Sequence, residues 1–391
     1  MRDYHKNIID IIKSATDGTK AELPENFDWK ECLETGKKHR IFPLIYYGLQ
    51  NSGITAPEEY SRIFETAEYR ALALNTNQLY ETQRLFQAFE KSGIDYMPLK
   101  GCVLKPLYPK PEMRMMSDAD ILVRKEQYPS IKNVMGELGY TEKVESDHEY
   151  VWYKNNILIE LHKRLIPSYN KDYYAYFGDG WRLARKTDRD FCYEMSKEDT
   201  FIYIFTHFAK HYRDAGIGLL HLTDLYVFIK NNPGINSEYL RSELEKLCLY
   251  RFYINIEHTL KVLFCGESPD EISDIITDSI FGFGVYGTHE NHLLSAALKE
   301  SAQSGSADNV RRRQLAAKLF PSYESMCKMY PSLSGKRVLL PFYWAGRGFE
   351  KIFFKRDAIK RQTEAVRLVS GDNIRSYSES LKKVGLDFNF K

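Results

Sequence analysis

Asp118 and Asp120 stand two apart in Ser117-Asp118-Ala119-Asp120-Ile121-Leu122-Val123, where Ala119, Ile121 and Val123 alternate as a strand requires. On such a strand both carboxylates leave the same face, about 6.5–7 Å apart along the chain. Like charges held that close repel, and a cation between them lets a fold keep both ionised. Oxygen-only ligation suits Mg²⁺, which takes one or two protein carboxylates and completes its shell with water and substrate phosphate. The same spacing also describes a solvated Asp-x-Asp at a strand edge, so the pair needs company to mean more. Lys100-Gly101-Cys102 supplies some, at a strand-to-helix turn ahead of Val103-Leu104. A glycine there lets backbone approach an anion, and the N–H groups that open a helix point towards it. Glu160, between Ile159 and Leu161, offers a third carboxylate; alone it reads as a solvent-facing strand position.

Together these residues resemble the nucleotidyltransferase fold of the DNA polymerase β superfamily. More narrowly they resemble an uncharacterised bacterial nucleotidyltransferase-like family with a Leu-Lys-Gly, Arg, Asp-x-Asp signature. The matching pieces are Leu99-Lys100-Gly101, Tyr108-Pro109, Arg114, Ser117 to Val123 and Ile159-Glu160-Leu161-His162. Ser196 to Asp199, His207, His211 and Asp224-Leu225 continue the likeness, which spans residues 40–230. The resemblance implies an α+β fold, with a mixed sheet, flanking helices, N-terminal helices and a large C-terminal helical region. It implies transfer of a nucleoside monophosphate from an NTP to an acceptor, a small molecule or a protein hydroxyl, with release of pyrophosphate. Asp118, Asp120 and Glu160 would hold two Mg²⁺ ions, or Mn²⁺ in their place, and Glu160 would take the acceptor proton. Backbone N–H groups at Gly101 and Cys102 would cradle the phosphates, while Lys100 and Arg114 would neutralise charge on the leaving pyrophosphate. Two departures stand out. Cys102 follows Gly101 where the superfamily has serine, and the interval from Gly101 to Asp118 is longer than usual. They keep open an alternative in which the same fold binds nucleotide, or serves as a scaffold, without turnover.

His162 is two positions from Glu160 and so shares its strand face, as a hydrogen-bonding neighbour of the site. His207 and His211 are four apart, on one face of a predicted helix, with His221 and Asp224 following. They either pack the helices against the α/β unit, line the acceptor side of the cleft, or form a metal-dependent phosphohydrolase centre. The last lacks an adjacent His-Asp pair and a His-Glu-x-x-His motif.

The elements that must position these groups are legible in outline. Residues 1–70 read as helices, with Ile8, Ile9, Ile11 and Ile12 and then Phe42, Leu44, Ile45 and Leu49 near helical period. Residues 71–92 continue as a helix with Leu72, Leu79, Leu85 and Phe89 on its apolar side, closed by Gly93. Strands are expected over 94–99 and 117–123, a helix over 126–138 stopped by Gly139, and a hairpin over 150–162 turning at 154–156. Ser196 to Asp199 opens a helical region reaching Ile276, residues 300–309 read as a loop or linker, and a basic tail follows. This gives an N-terminal helical region (1–70), a nucleotidyltransferase-like core (71–195) and a C-terminal helical region with the tail (196–391).

Composition sets the remaining bounds. A chain of 391 residues, 43% hydrophobic, buries a large core, which excludes wholesale disorder. Its 55 basic and 53 acidic side chains leave a formal +2, too little for a polyanion-coating protein, so nucleic acid is not the expected partner. Residues 336–367 hold nine Lys or Arg against three acids, beside Phe349, Ile352 and Phe353. That run, like Arg311-Arg312-Arg313, reads as a solvated helix face more readily than as an anionic-surface or RNA contact. No apolar run approaches the roughly 20 residues that span a bilayer. Six scattered cysteines without framework spacing point to reduced thiols in a cytoplasm.

Overall fold

The computed structural model describes residues 2–285, 287–304, 322–323, 326–327, 330–333, 335–344 and 371–387. The chain divides into one unit of residues 1–211, 217–286 and 389–391 and another of 212–216 and 287–388.

The first unit begins with the helices that isoleucine spacing predicts. Helix α1 (Asp3–Asp17) buries Ile8, Ile9, Ile11 and Ile12 and ends on Gly18. Helix α2 (Trp29–His39) is capped by Asp28, whose carboxylate accepts from the Glu31 N–H. Helix α3 (Phe42–Ser52) lies so close to α1 that a Cβ on Gly48 would fall 2.1 Å from the Ile11 carbonyl oxygen. Helix α4 (Glu58–Ser92) runs 35 residues, unbroken through residue 70, and closes on Gly93 at φ 67°. Its buried face differs from the expected one. Leu72 and Leu79 are 40% and 52% exposed, while Asn75, Gln78 and Glu81 are buried beside Phe64, Leu85 and Phe89. Gln78 and Glu81 face inward because each finds a partner there. Gln78 donates to the Met116 carbonyl at 2.9 Å and accepts from Lys105, and Glu81 accepts from Lys154.

A five-stranded mixed sheet follows, in the order β1 (Tyr96–Pro98), β2 (Ala119–Val123), β5 (Ile157–His162), β4 (Glu149–Lys154), β3 (Thr141–Glu145). The central β2–β5 pair is parallel and the others antiparallel. β1 is shorter than expected, and the one-turn helix α5 (Gly101–Leu104) follows it. β2 starts at Ala119, which leaves Asp118 one residue ahead of it. β3 was not anticipated: its residues are mostly exposed and show no alternation of apolar side chains to read. The hairpin turns at Asn155, with φ 52°. The α+β architecture is the one the sequence implies.

Alternation across the sheet separates core from site. Ala119, Ile121 and Val123 of β2 and Ile159 and Leu161 of β5 join Leu85 and Phe89 of α4 and Ile131 and Met135 of α6 (Tyr128–Glu137) in one apolar cluster. The intervening residues, Asp120, Glu160 and His162, therefore take the opposite face. Downstream stand α7 (Lys171–Phe177), a short β6–β7 ribbon (Arg185–Lys186, Tyr193–Glu194) and α8 (Lys197–Asp214). The Ser196 hydroxyl accepts from the Asp199 N–H and donates to its carboxylate, so the predicted helix start holds with Asp in the box. Then come α9 (Leu219–Asn231), α10 (Ser237–Lys246), α11 (Tyr250–Leu260) and α12 (Glu271–Phe283), which carry the helical region past Ile276.

In the second unit, α13 (His289–Ser304) packs against a helix over Gly371–Lys383. Residues 300–304 of the expected linker are thus the end of a helix, and 305–309 lie outside the described residues. So do Arg311 to Arg313 and every cited residue of the basic tail except Lys336 and Arg337. No described helix is long and apolar enough to cross a membrane, and all six cysteines are free thiols.

Candidate active site

The turn that carries Lys100 is fastened to the strand that carries Asp120. The Leu99 N–H donates to the Asp120 carbonyl at 2.9 Å, and the N–H groups of Val103 and Leu104 close back on the Lys100 carbonyl. Lys100 itself sits at φ 40°, ψ −110°, a conformation that costs a lysine about 1–3 kcal/mol and persists only where the surroundings hold it. Gly101 is needed for a reason the sequence does not show. A Cβ there would lie 2.5 Å from Met116 Sδ and 2.9 Å from an Arg114 guanidinium nitrogen. The glycine admits the 113–117 segment to the turn. Gly101 lines the cleft described below; Cys102 does not, for it packs against the sheet core and its N–H donates to the Leu99 carbonyl.

Parallel pairing of β2 with β5 sets Asp120 opposite Glu160 and Leu122 opposite His162. One oxygen of Asp120, Oδ1, takes Lys100 Nζ at 2.6 Å and His162 Nε2 at 2.7 Å. His162 Nε2 also stands 3.7 Å from Glu160, and ligand atoms of Asp120, Glu160 and His162 lie within 4.8 Å of one another. Burial alone would raise the Asp120 carboxyl, but Lys100 and His162 hold it well below the usual carboxylate range. Burial likewise disfavours the Lys100 ammonium, and Asp120 more than reverses this, so it stays charged. The other two acids are not so served. Burial and the neighbouring Asp120 raise Asp118 to about 6, and burial with Asp118 and Asp120 raises Glu160 to about 8. Burial and Lys100 lower His162, which is 2% exposed and whose Nδ1 has no hydrogen-bond partner.

In the same cleft, Arg114 donates from Nε and a terminal nitrogen to both oxygens of Asp224, at 2.8 and 2.9 Å, and the Tyr108 hydroxyl adds a third bond at 2.8 Å. Arg114 and Asp224 are therefore joined face to face. His207 and His211 meet through their Nε2 atoms at 3.1 Å. Burial and His211 push His207 well down, and burial pushes His221 to about 4, so both are neutral imidazoles. Both Asp224 oxygens serve Arg114, and the pull of Asp224 on His221 is weaker than the burial that lowers it. Among the described residues, the histidine–carboxylate set close enough to share an ion is Asp120, Glu160 and His162.

All these walls bound one cleft of about 390 Å³, lined by Lys100, Gly101, Arg114, Asp118, Asp120, Glu160, His207, His211, His221 and Asp224. Arg40 lines it too. It follows α2 in the left-handed region at φ 57°, bonds to Ser117, and lowers Asp118 electrostatically. Sequence reasoning missed Arg40, which lies 77 residues from its partner in no motif. It also missed Glu149, which β4–β5 pairing sets opposite His162, 3.8 Å from Nδ1. A divalent cation fits the donor set. Asp118 and Glu160 are half-buried carboxyls to which no described residue donates a hydrogen bond, and both are raised because burial and the neighbouring acids outweigh the cations nearby.

No curated protein matches the chain. Among solved structures, that of the antibiotic-resistance factor ANT(2'')-Ia in solution is similar at 13% identity, covering 47% of this chain and 97% of that one, with a TM-score of 0.32. The model of a family described as "Uncharacterised nucleotidyltransferase" matches residues 25–264, the stretch that carries the whole sheet, the Lys100 turn and both histidine helices. The chain belongs to that nucleotidyltransferase family.

Proposed function

We propose that the protein transfers a nucleoside monophosphate from an NTP to the hydroxyl of a small molecule or protein, releasing pyrophosphate, with Mg²⁺ bound by Asp118, Asp120 and Glu160. Family membership supports nucleotidyl transfer in general. The observation that carries the finer reading is the juxtaposition of three carboxylates in one cleft, two of them raised by burial and mutual repulsion. Bound there, Mg²⁺, or Mn²⁺ in its place, would neutralise charge on the phosphate oxygens as the α-phosphorus changes partners, and the resemblance implies two such ions. The protein groups supply the rest. Glu160 takes the proton of the acceptor hydroxyl. The acceptor oxygen then bonds to the α-phosphorus as the bond to the bridging oxygen breaks, and pyrophosphate leaves with that electron pair. Lys100, Arg40 and the positive face of Arg114 stand along the cleft to meet the phosphates. Gly101 offers the turn's contact with them, whereas the committed N–H of Cys102 makes that residue a support of the turn. His162 orients Asp120, and the neutral His207, with His211 beside it, faces the acceptor side.

The test is direct. Purified protein given Mg²⁺ and α-labelled NTP should release pyrophosphate and form a labelled adduct, and the Asp118→Asn/Asp120→Asn double variant should do neither. Equal release by the double variant would refute the site. A second reading, nucleotide binding without turnover, is favoured by the Lys100–Asp120 pair and by the missing serine at Cys102. It requires tight NTP binding by calorimetry with no pyrophosphate across a broad set of acceptors.

A further inference from the structure

The Lys100–Asp120 contact is unusual in its economy. A single ammonium sits at 2.6 Å from the same Asp120 oxygen that His162 also contacts, in a cleft where Asp118 and Glu160 bring two further carboxyls. Among the described residues Lys100 makes no ion pair with either of those, and the nearby guanidinium of Arg114 is committed to Asp224. The lysine thus pairs directly with one acid of three. It is aimed there by a backbone at φ 40°, ψ −110° that an L-residue rarely adopts, in a turn tied to β2 by the Leu99–Asp120 bond. A divalent ion, with twice the charge and room for several oxygens, meets the three acids better than one ammonium can. To reach Oδ1 it must take the place of Lys100 Nζ.

We infer that Lys100 is a resident cation that a divalent ion displaces from Asp120, and that nucleotide phosphates, by giving the released ammonium a new partner, make metal and nucleotide binding cooperative. Lysine suits the role, since its compact charge rides on a flexible four-carbon stem and stays within the cleft after leaving Asp120. With no nucleotide present, the ion must both break the 2.6 Å pair and leave the ammonium beside a second positive charge, so metal alone binds weakly. With a triphosphate present, the ammonium exchanges one anion for another and the ion gains phosphate ligands. Linkage makes the coupling reciprocal, so metal raises nucleotide affinity by the same factor. Lys100 is here a positioning residue that keeps the cleft closed to metal without substrate. The inference rests on the transferase reading only for the presence of metal and triphosphate, and it does not need turnover.

The experiment follows free Mn²⁺ by electron paramagnetic resonance in titrations of the full chain, native and Lys100→Met, with and without α,β-methylene-ATP. Without nucleotide, Lys100→Met should bind Mn²⁺ about tenfold more tightly than the native protein, a gain that damaged packing would not produce. The nucleotide analogue should tighten native Mn²⁺ binding by about tenfold more than it tightens that of the variant. Lys100→Gln serves as the second neutral variant should the methionine protein fail to fold, and Lys100→Arg should bind no more tightly than native. Equal or weaker Mn²⁺ binding by the neutral variants, or an identical nucleotide effect in all proteins, would overturn the inference. Pyrophosphate release without this binding pattern would remove the displacement and leave the transferase reading standing. The pattern without any release would do the reverse.

Discussion

Two ion pairs line the same cleft, and they are built on opposite principles. Arg114 and Asp224 are matched atom for atom: two parallel hydrogen bonds, a tyrosine hydroxyl on the shared carboxylate, and one charge of each sign. Lys100 and Asp120 are also close, yet two more carboxyls share that cleft with no lysine or arginine in an ion pair to them among the described residues. The first arrangement is balanced. The second is incomplete, and its missing positive charge is what a metal would bring. A balanced pair and an unbalanced cluster look alike in a contact map; counting charges and donors separates them.

Breaking the balanced side should cost the most. Arg114→Ala leaves Asp224 buried without its partner and should lower unfolding free energy by about 3–5 kcal/mol in urea titrations, while Arg114→Met with Asp224→Leu should recover much of it. Next comes acid. Burial holds His39 and His221 at about 4, His39 with help from Lys38, so both stay neutral when folded, whereas an unfolded histidine takes its proton near 6.5. Below pH 6.5 the unfolded chain binds more protons, and each histidine should remove up to about 1.4 kcal/mol of stability per pH unit down to about pH 4. His221 sharpens the comparison, since Asp224 would raise it and Arg114 opposes that. In Arg114→Met the NMR titration of His221 should move upwards, and an unmoved value would mean that Asp224 is not reserved for Arg114.

Smaller effects test where the two sides touch. Gly101→Ala pushes a methyl into Met116 and Arg114 and should cost about 1–3 kcal/mol by the same urea measurement, with activity falling further than stability. Glu160→Gln works in the other direction. Removing one repelling carboxyl should stabilise the metal-free protein by about 1 kcal/mol at pH 8 while abolishing pyrophosphate release. A stability loss there would mean that Glu160 is compensated after all, and the contrast with Arg114 would fail.

Much of this site was legible before any coordinates. Asp118 and Asp120 stand out by type and spacing, Lys100 and Glu160 gain their roles through the family resemblance, and period-two alternation puts Asp120 and Glu160 on the side of the sheet away from Ile121 and Leu161. The register that sets Asp120 opposite Glu160 is a property of pairing between distant segments, which local pattern does not carry. The roles of Arg114 and Gly101 were hidden for the same reason, because each depends on a partner, Asp224 or Met116, that proximity in sequence does not reveal. On α4, apolar counting chose Leu72 and Leu79 as core, and the buried face instead went to Gln78 and Glu81, whose partners come from the 113–117 segment and from β4. Strand β3 escaped because an exposed edge strand needs no hydrophobic code. Polar residues with buried partners break the periodicities by which elements are read, as Gln78 and Glu81 do on α4.

The central claim is that Asp118, Asp120 and Glu160 together hold a divalent ion against the phosphates of a nucleotide. Anomalous diffraction from crystals grown with Mn²⁺ and α,β-methylene-ATP tests it most directly. The claim predicts Mn²⁺ density touching carboxylate oxygens of these three residues and a phosphate oxygen, with Lys100 moved off Asp120. Nucleotide bound with no ion at these acids, and Lys100 still at 2.6 Å from Asp120, would contradict it.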